Sequence, residues 1–373
     1  MAYAETRPPV AARSAALPHG GNLFLASQTY GIPVAEWLDL STGINPRAYP
    51  IDALSSWDFQ RMPYVSAEFD AARTAYYGSH AGLAINGSQQ AIQLLPRLLP
   101  ALPVWVPEAG YQEHRRHWSL QGNRVVTYPA FCAEQAAQVI EQALRTQPPF
   151  HLLVINPNNP TGLCFTPQQL RHWASRMAQG AMLIVDEAFI DAAPGQSVLA
   201  EPLPDNMLVL RSFGKYFGLA GLRLGFVFGA PRVIDALGEW VGPWEVNGPA
   251  QSIATAALRD TPWHHETQHF LQANAQANRV VFDELFASLP VMFQAHTPLF
   301  STYSLTPARA RHIYEYFARR GILLRLIELN DQQALLRTGR LNYQHTSHLQ
   351  QLQQACAGYC DELNRYQRGK THA

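Results

Sequence analysis

The segment Ser212–Phe226 reads S-F-G-K-Y-F-G-L-A-G-L-R-L-G-F and sets Lys215 in apolar, glycine-rich surroundings. Burial of an unpaired ammonium costs free energy and lowers the pKa of the lysine. A lowered pKa favours the neutral amine, which is the nucleophile in Schiff-base chemistry. Lys215 is therefore a candidate nucleophile, although a surface lysine on a glycine-rich turn would have the same sequence.

Short apolar runs lie on both sides of this segment and alternate, from Leu83 onward, with longer helical patterns. They are L-A-I at 83–85, V-W-V at 104–106, L-L-V-I at 152–155, M-L-I-V at 182–185, L-V-L at 208–210 and G-F-V-F at 225–228. One helix start is legible at Thr166, whose hydroxyl can cap a helix that has Pro167 at its first position. The alternation predicts a mostly parallel sheet with helices between its strands.

The pattern changes in the last part of the chain. The predicted pieces there are helices at 309–320 and 346–366, with the apolar run I-L-L-R-L at 322–326 between them. We therefore predict an α/β fold with a large domain at 46–275 around the parallel sheet and a smaller α+β domain at 276–373. Residues 1–18 are rich in Pro, Ala and Arg without apolar periodicity, which predicts a flexible arm.

Composition and charge narrow the range of possible functions. Lys plus Arg equals Asp plus Glu, at 28 each, and no run of like charge indicates binding to nucleic acid or to an anionic membrane. No apolar stretch approaches the roughly 20 residues of a membrane span, and the first residues lack a signal-peptide pattern. The four cysteines form no paired C-x-x-C set, so we expect neither a metal nor a disulfide. These features predict a cytoplasmic protein with a small-molecule ligand.

Two further motifs follow predicted strands. Asp186 ends the run M-L-I-V-D, and a carboxylate at the carboxyl end of a strand lies where ligands bind in open α/β sheets. The loop N-P-N-N-P-T-G at 156–162 follows L-L-V-I, and an Asn amide there can donate to a phenolic oxygen of a ligand. A helix N-cap would also explain Asp186, and an ordinary turn would explain the loop.

A third motif, N-G-S-Q-Q-A-I at 86–92, begins a helix after a short strand. Free backbone N–H groups at a helix start, together with a hydroxyl, form an anion site suited to a phosphate. The residues predicted to form this site are Gly87, Ser88, Gln89, Ser212 and Arg223. Helix capping would also explain Ser88, and a surface ion pair would explain Arg223.

The order of these motifs resembles that of the class I and II aminotransferases, which depend on pyridoxal 5′-phosphate (PLP), over roughly residues 19–345. Two features narrow the resemblance to the threonine-phosphate decarboxylases of cobalamin biosynthesis, which are relatives of the histidinol-phosphate aminotransferases. They are H-G-G-N-L-F at 19–24 with D-L-S-T-G-I-N-P at 39–46, and D-E-A-F-I-D at 186–191. The resemblance implies the α/β architecture called PLP-dependent transferase fold type I.

The resemblance also implies how the cofactor is bound. Lys215 would form the Schiff base, Asp186 would pair with the pyridine nitrogen and Asn159 would donate to the ring's O3′. Tyr111, in A-G-Y-Q-E-H, would stack on the ring, although a core or surface tyrosine is the alternative. The other implied cofactor contacts are Gly87, Ser88, Gln89, Ser212 and Arg223.

A substrate site is implied as well. Arg337, in A-L-L-R-T-G-R, would hold the substrate carboxylate as a bidentate fork. His19 would help to bind a substrate phosphate from a segment, 19–45, that lies over the active site as part of the small domain; a flexible linker is the alternative. Arg325 and Arg340 are weaker candidates that solvated ion pairs would also explain. The other implied contacts are Gly20, Gly43, Asn159 and Tyr64, the last of them across a homodimer.

The implied reaction is decarboxylation of L-threonine O-3-phosphate to (R)-1-amino-2-propanol O-2-phosphate. Phe189 favours this subgroup, which the chain resembles in having Phe there, whereas many aminotransferases have a tyrosine whose hydroxyl bonds to O3′. A histidinol-phosphate or other amino-acid aminotransferase is the alternative, and it would require a 2-oxo acid. A PLP-binding regulator fused to a DNA-binding region is disfavoured, because the sequence has no N-terminal helix-turn-helix pattern and no basic patch.

Overall fold

Strands and helices alternate along the chain, which the computed structural model describes at residues 17–51 and 54–371, the last six by their backbone alone. The strands are β1 (Leu38–Asp39), β2 (Gly82–Ile85), β3 (Val104–Pro107), β4 (Val125–Tyr128), β5 (His151–Ile155), β6 (Leu183–Asp186), β7 (Met207–Ser212), β8 (Gly225–Phe228), β9 (Phe293–His296), β10 (Ser301–Leu305), β11 (Ile322–Leu323), β12 (Arg325–Glu328) and β13 (Ala334–Thr338). The α-helices are α1 (Leu23–Tyr30), α2 (Trp57–Gln60), α3 (Ala67–Tyr77), α4 (Ser88–Leu98), α5 (Gln112–Leu120), α6 (Ala133–Thr146), α7 (Pro167–Arg176), α8 (Phe213–Tyr216), α9 (Pro231–Val241), α10 (Gly248–Arg259), α11 (Thr261–Ala287), α12 (Pro307–Ala318) and α13 (Thr346–Thr371).

A seven-stranded sheet in the order β2-β8-β7-β6-β5-β3-β4 forms the centre. Strands β7, β6, β5, β3 and β4 run parallel, and β8 is antiparallel to both β7 and β2. Each apolar run predicted to be a strand overlaps one of these strands. The prediction of an α/β fold with a mostly parallel central sheet is confirmed.

The inner strands β5, β6 and β7 are buried along their whole length. In β5, Leu152 and Val154 pack in one core with helices α6 and α7, whereas Leu153 and Ile155 pack in another with α4, α5 and α9. Successive side chains point to opposite faces of a strand, so a strand covered on both faces needs an unbroken apolar run. The polar groups of these strands are therefore concentrated where the strands end.

A second sheet of antiparallel strands, in the order β12-β13-β10-β9, packs with α12 and α13 around its own core. Its register sets Arg325 in β12 directly opposite Arg337 in β13. Next to this sheet, β1 pairs in parallel with β11, which attaches residues 38–39 to this part of the molecule.

Helix α11, 27 residues long, joins the two parts. Its Phe270 and Leu271 pack in a core of the central sheet, and its Val281 and Phe282 pack in the core of the second sheet. The predicted domain boundary at residue 275 therefore falls inside a continuous helix. The division of the chain into domains stays a prediction.

Three details concern the sequence predictions at the edges of the fold. Strand β4 is not predicted from the sequence, because its run V-V-T-Y is partly exposed at the edge of the sheet and forms no continuous apolar pattern. The apolar run I-L-L-R-L at 322–326 contains β11 and the start of β12, with a break at Leu324. The predicted flexible arm at 1–18 lies outside the described residues except for Leu17 and Pro18.

The described helices include none whose length and apolar content would let it cross a bilayer. All four cysteines are free. Within residues 17–51 and 54–371, no three His, Cys, Asp or Glu side chains cluster in a way that could hold a metal ion.

Candidate active site

A cavity of about 830 Å³ opens at the carboxyl ends of β5, β6 and β7. The register brings these ends together, since Asp186 lies between Ile155 and Leu210 in the sheet. The predicted site residues that line the cavity are His19, Gly20, Gly43, Gly87, Ser88, Gln89, Tyr111, Asn159, Asp186, Ser212, Lys215, Arg223, Arg325 and Arg337. Two candidates, Tyr64 and Arg340, do not line it. The Tyr64 side chain is exposed, and its ring packs edge-on against Trp244 with 5.8 Å between ring centroids.

Lys215 lies in the short helix α8, directly after β7. Burial lowers the pKa of its ammonium to about 8, and the charges of Arg337 and Arg223 act in the same direction while Asp186 opposes them. The backbone carbonyl of Lys215 accepts a bond from the Asn45 N–H at 3.0 Å, which fixes the turn. A substantial fraction of the amine is therefore neutral near pH 7 to 8, as a nucleophile requires.

Asp186 ends β6 and is buried. Its Oδ2 lies 2.7 Å from Nε2 of His114, which is also buried, and its Oδ1 accepts from the backbone N–H of Ala188 at 3.0 Å. Because an ionised carboxylate only accepts, His114 must donate from Nε2. A helix N-cap would explain the bond to Ala188. It would not explain the bond to His114 or the position of Asp186 in the cavity wall.

The start of α4 forms one end of the cavity. Gly87 is the N-cap, with φ of +70°, and Ser88 is the first helical residue. The capping alternative for Ser88 is therefore wrong, because Gly87 occupies the N-cap position. A Cβ on Gly87 would lie 2.4 Å from Nη2 of Arg223, so a larger residue would displace the guanidinium from the helix N-terminus. The N–H groups of the helix start and Arg223 together form an anion pocket.

Arg223 takes a left-handed backbone conformation, with φ of +56°. Its Nη1 donates to the carbonyl of Ala220 at 3.1 Å. Among the described residues it pairs with no carboxylate, so the surface ion pair offered as its alternative is wrong.

Arg337 is buried on β13 and reaches the loop that follows β5. Its Nη1 donates to Asn159 Oδ1 at 2.5 Å, and its Nη2 donates to the carbonyl of Ser41 at 2.6 Å. Among the described residues its Nε has no partner. Because the Asn159 oxygen accepts from Arg337, the NH₂ group of the same amide remains available to donate to a ligand.

Arg325 and Arg337 form a pair of like charges across β12 and β13. Burial lowers the pKa of Arg337 to about 10, and the charge of Arg325 adds to the effect. Arg325 donates to the carbonyl of Pro18 at 2.5 Å. Because like charges directly opposite in a sheet are destabilising, an anionic ligand between them would be bound favourably.

Arg340 does not line the cavity described above. It is buried and donates to the carbonyls of Thr297 and Pro298 and to the Ser301 hydroxyl. The interpretation of Arg340 as a solvated ion-pair residue is therefore wrong. It holds together the turn between β9 and β10.

The segment around His19 crosses the mouth of the cavity. Nε2 of His19 lies 2.9 Å from Oε1 of Glu113, and the Gly21 N–H donates to the Ser41 hydroxyl at 2.7 Å. A Cβ on Gly20 would lie 2.3 Å from the carbonyl oxygen of Ser41, so the close approach requires glycine.

Aromatic rings form two walls of the cavity. Tyr111 donates its hydroxyl to Gln89 Oε1 at 3.1 Å, and burial, with Glu113 and Asp186, raises the pKa of its phenol to about 12. Phe189 packs edge-on against Phe300, and its ring centroid is 5.9 Å from Nζ of Lys215. The side of the lysine that faces Phe189 is therefore apolar.

The functional residues missed from the sequence are Glu113, which lines the cavity, and His114 and Ser41, which contact the cavity residues Asp186 and Arg337. The first two lie in Q-E-H-R-R-H, where every residue is polar and burial of two of them leaves no sequence pattern. Ser41 lies in the segment D-L-S-T-G-I-N-P, which the sequence does single out, but nothing there indicates that its carbonyl would contact Arg337.

Known proteins resemble this chain in sequence. The model of the family "Aminotransferase class I and II" matches residues 51–357. The threonine-phosphate decarboxylase of Pseudomonas aeruginosa is 40% identical over 87% of this chain and 92% of its own length. The histidinol-phosphate aminotransferase of Methylobacillus flagellatus is 30% identical over 50% of each chain.

Solved structures resemble it in fold. The histidinol-phosphate aminotransferase of Sinorhizobium meliloti, solved in complex with pyridoxal-5′-phosphate, matches with a TM-score of 0.73 at 17% identity, over 94% of this chain and 99% of that one. The L-threonine-O-3-phosphate decarboxylase of Porphyromonas gingivalis matches with a TM-score of 0.66 at 16% identity, over 86% and 99%. The fold and the family model agree, and the chain belongs to the class I and II aminotransferase family.

Proposed function

We propose that this chain is a PLP-dependent decarboxylase that converts L-threonine O-3-phosphate to (R)-1-amino-2-propanol O-2-phosphate and CO2, a step of cobalamin biosynthesis. The 40% identity to a threonine-phosphate decarboxylase over most of both chains supports the proposal. Relatives named histidinol-phosphate aminotransferase match at 30–32% identity over 50–80% of this chain, which supports the alternative less well.

The observation that carries the proposal is the cross-strand pair Arg325 and Arg337 in the wall of the cavity that contains Lys215. An amino acid that bears a phosphate presents two anionic groups, a carboxylate and a phosphate. A third arginine, Arg223, lies at the helix start and remains for the phosphate of the cofactor. The substrate carboxylate, the substrate phosphate and the cofactor phosphate could thus each be bound by one guanidinium, the side-chain group best suited to bidentate bonds with carboxylates and phosphates.

The residues present fit PLP. Gly87 leaves the anion pocket open, where a Cβ would collide with Arg223, and Ser88 and Ser212 add hydroxyls to it. Asp186, held by His114, would accept from the protonated pyridine nitrogen, and Asn159 would donate to the ring's phenolic oxygen. When bound, PLP supplies an electron-withdrawing ring that accepts the electron pair left on the α-carbon as CO2 departs.

Lys215 has two proposed tasks. Its neutral amine, available because its pKa is about 8, would attach the cofactor covalently. Once released from the cofactor, the same amine would be the nearest acid–base group for the proton that is added to the α-carbon after loss of CO2. The apolar ring of Phe189 lies beside it and contributes no competing proton donor.

The substrate would be held at both ends. Arg337, already fixed by Asn159 and Ser41, would bind the carboxylate with the NH groups that face the cavity. Arg325, His19 and the backbone at Gly20 would bind the phosphate, and Gly43 would allow close approach beside Phe189. Holding the carboxylate fixes which bond of the α-carbon can break.

The test is to mix PLP-loaded protein with L-threonine O-3-phosphate in the absence of any 2-oxo acid. We expect continued release of CO2 and of the amine phosphate over many turnovers. Turnover that appears only after 2-oxoglutarate is added would instead assign the chain to the aminotransferases.

We also propose that the protein acts as a homodimer in the cytoplasm. Exposed apolar side chains in the segment 57–65 support the dimer, because soluble monomers rarely expose such a cluster. They are Trp57, Phe59, Met62, Tyr64 and Val65, each at least 55% exposed. In a dimer formed through this surface, Tyr64 would reach the site of the partner subunit. Sedimentation velocity would measure the mass, and cell fractionation would test the location.

A further inference from the structure

Glu113 is a buried carboxylate in the wall of the cavity, on the first turn of α5. A carboxylate in this position needs an explanation, because the proposed substrate carries two anionic groups. On its own it would repel that substrate and would lose hydration on burial.

One oxygen of Glu113 binds the N-terminal segment. Its Oε1 lies 2.9 Å from Nε2 of His19, whose side chain is 46% exposed and whose ring is 5.9 Å from that of Tyr111. The sequence separation of 94 residues makes this contact a link between remote parts of the chain. Because the carboxylate only accepts, His19 donates from Nε2, and its Nδ1 would donate to a phosphate as the second N–H of an imidazolium.

The other oxygen binds the wall on which the cofactor ring would lie. Oε2 of Glu113 is 3.3 Å from Nε2 of Gln89 and 3.1 Å from Nε2 of His117. Gln89 in turn accepts from the Tyr111 hydroxyl. Glu113 therefore connects the segment at the cavity mouth to Gln89 at the start of α4 and, through it, to the Tyr111 ring.

The N-terminal segment has further attachments on its other side. The Gly21 N–H donates to the Ser41 hydroxyl, and the Pro18 carbonyl accepts from Arg325. Both of these lead to the second sheet, whereas the bond from His19 to Glu113 is made to the central sheet's side of the cavity. Glu113 thus sets how the segment lies relative to the cofactor side of the site.

We propose that Glu113 is a positioning residue, which holds His19 over the cavity so that the phosphate-bearing end of the substrate is bound. The inference rests on the proposed function, since the phosphate is that of the proposed substrate. Glu113 acts through His19 and does not itself bind the anion.

The kinetic test compares E113A and E113Q with the wild type on L-threonine O-3-phosphate. We expect E113A to raise KM about tenfold or more with kcat changed much less, since one charge-assisted contact to the phosphate is misplaced. E113Q keeps an oxygen that can accept from His19, so its KM should lie between the two. A KM in E113A within twofold of wild type, or a lower KM in both variants, would overturn the proposal.

His117 provides the matched control. It bonds to the same carboxylate but does not line the cavity. The variant H117A should leave KM within about twofold of wild type. A rise in H117A equal to that in E113A would mean that Glu113 matters only for the packing of α5, and the positioning role would be rejected.

A second measurement needs no substrate. Hydrogen–deuterium exchange of the peptide that spans residues 19–25 should be several-fold faster in E113A than in wild type and unchanged in H117A. Unchanged exchange in E113A would reject the anchoring role whatever the kinetics show. If exchange responds as expected but the wild type does not decarboxylate the substrate, the anchoring stands and the proposed function falls.

Discussion

Lys215 is held between two opposed influences, a buried cationic environment that favours its neutral form and the carboxylate of Asp186 that favours its charged form. The variant Lys215→Ala removes the amine without adding bulk, so we expect the fold to persist and turnover to vanish. Borohydride treatment followed by mass spectrometry should attach PLP covalently to the wild type and not to the variant. Retained turnover in the variant would refute the role of Lys215.

The lowered pKa also predicts a pH dependence of stability in the cofactor-free protein. The folded pKa of Lys215 is about 8 and its ordinary value is 10.5, so below pH 8 the buried charge costs the folded state up to roughly 3 kcal/mol. Between these values the unfolded chain binds more protons than the folded one, so wild-type stability rises with pH. The charge-free variant Lys215→Met should be the more stable protein at pH 7.

The measurement is urea unfolding of the cofactor-free wild type and variant from pH 7 to pH 10.5. The advantage of Lys215→Met should shrink across that window. A constant difference would show that burial of the charge is not its cause.

The residues that the sequence pattern itself indicates stand out from an apolar or glycine-rich surrounding, whereas others, such as Tyr111 and His19, are implied by the family resemblance. Lys215 and Asp186 interrupt apolar runs, and the loop that contains Asn159 breaks a strand. His114 and Glu113 lie among polar neighbours, so only the orientation of α5 separates these buried side chains from the exposed Arg115 beside them. That orientation is a property of tertiary packing.

At the scale of one element, the start of α4 depends on Gly87. The variant Gly87→Ala places a Cβ against Arg223 and strains a backbone with positive φ. We expect the Kd for PLP to rise at least about tenfold, since the guanidinium must leave the pocket. Absorbance titration of the cofactor-free protein with PLP measures this.

Gly122→Ala is the control for that experiment. Gly122 also has a positive φ, of +88°, but a Cβ there meets nothing within 4 Å. It should lose about 1 kcal/mol of stability from strain and keep its affinity for PLP. Equal PLP affinity in the two variants would show that the Cβ at residue 87 does not disturb the anion pocket.

Strands β6 and β7 are joined by a buried ionic cluster next to the site. Arg211 Nη1 donates to Glu187 at 2.9 Å, its Nη2 bonds to Asp191, and Ser197 donates to Glu187 at 2.6 Å. Removing one member leaves the others buried and uncompensated, which costs about 3–5 kcal/mol. We therefore expect Arg211→Leu to lower the free energy of unfolding by about that amount, measured by urea denaturation.

The exposed pair of Arg279 and Asp283 is the control, since both side chains are more than a third exposed. Arg279→Ala should change the free energy of unfolding by about 0.5 kcal/mol or less. Similar losses of unfolding free energy in both variants would mean that the buried Arg211 cluster contributes no more to stability than an exposed ion pair.

For the whole molecule, the order of strands and helices follows from apolar periodicity, because strands covered on both faces need continuous apolar runs. The path of α11 does not follow from it. This helix packs with one core near Phe270 and with another near Phe282, and its sequence has no break where the cores change. A boundary placed from pattern alone cannot detect a helix shared by two cores.

If the protein is a homodimer, the exposed apolar surface at 57–65 should be required for association. Phe59→Asp puts a charge among the exposed side chains of the segment 57–65, and we expect the sedimenting mass to fall to that of one chain. Leu120→Asp, at another exposed apolar position, should leave the mass unchanged. A wild type that sediments as a monomer would reject the dimer directly.

Arg325 and Arg337 are neighbours across an antiparallel ladder, and this arrangement has a consequence for substrate length. Paired residues in such a ladder have α-carbons about 4.5–5.5 Å apart, a separation that the backbone holds rigidly. The guanidinium of Arg337 is held further by Asn159 and Ser41, and that of Arg325 by the Pro18 carbonyl. Two anionic groups bound by this pair would have to match the spacing of these two guanidinium groups. L-Serine O-phosphate, which lacks only a methyl group, keeps the separation of its carboxylate and phosphate, whereas O-phosphohomoserine lengthens it by one methylene. Selection by chain length would thus depend on the hydrogen bonds that hold the two guanidinium groups as well as on the β-sheet that carries them.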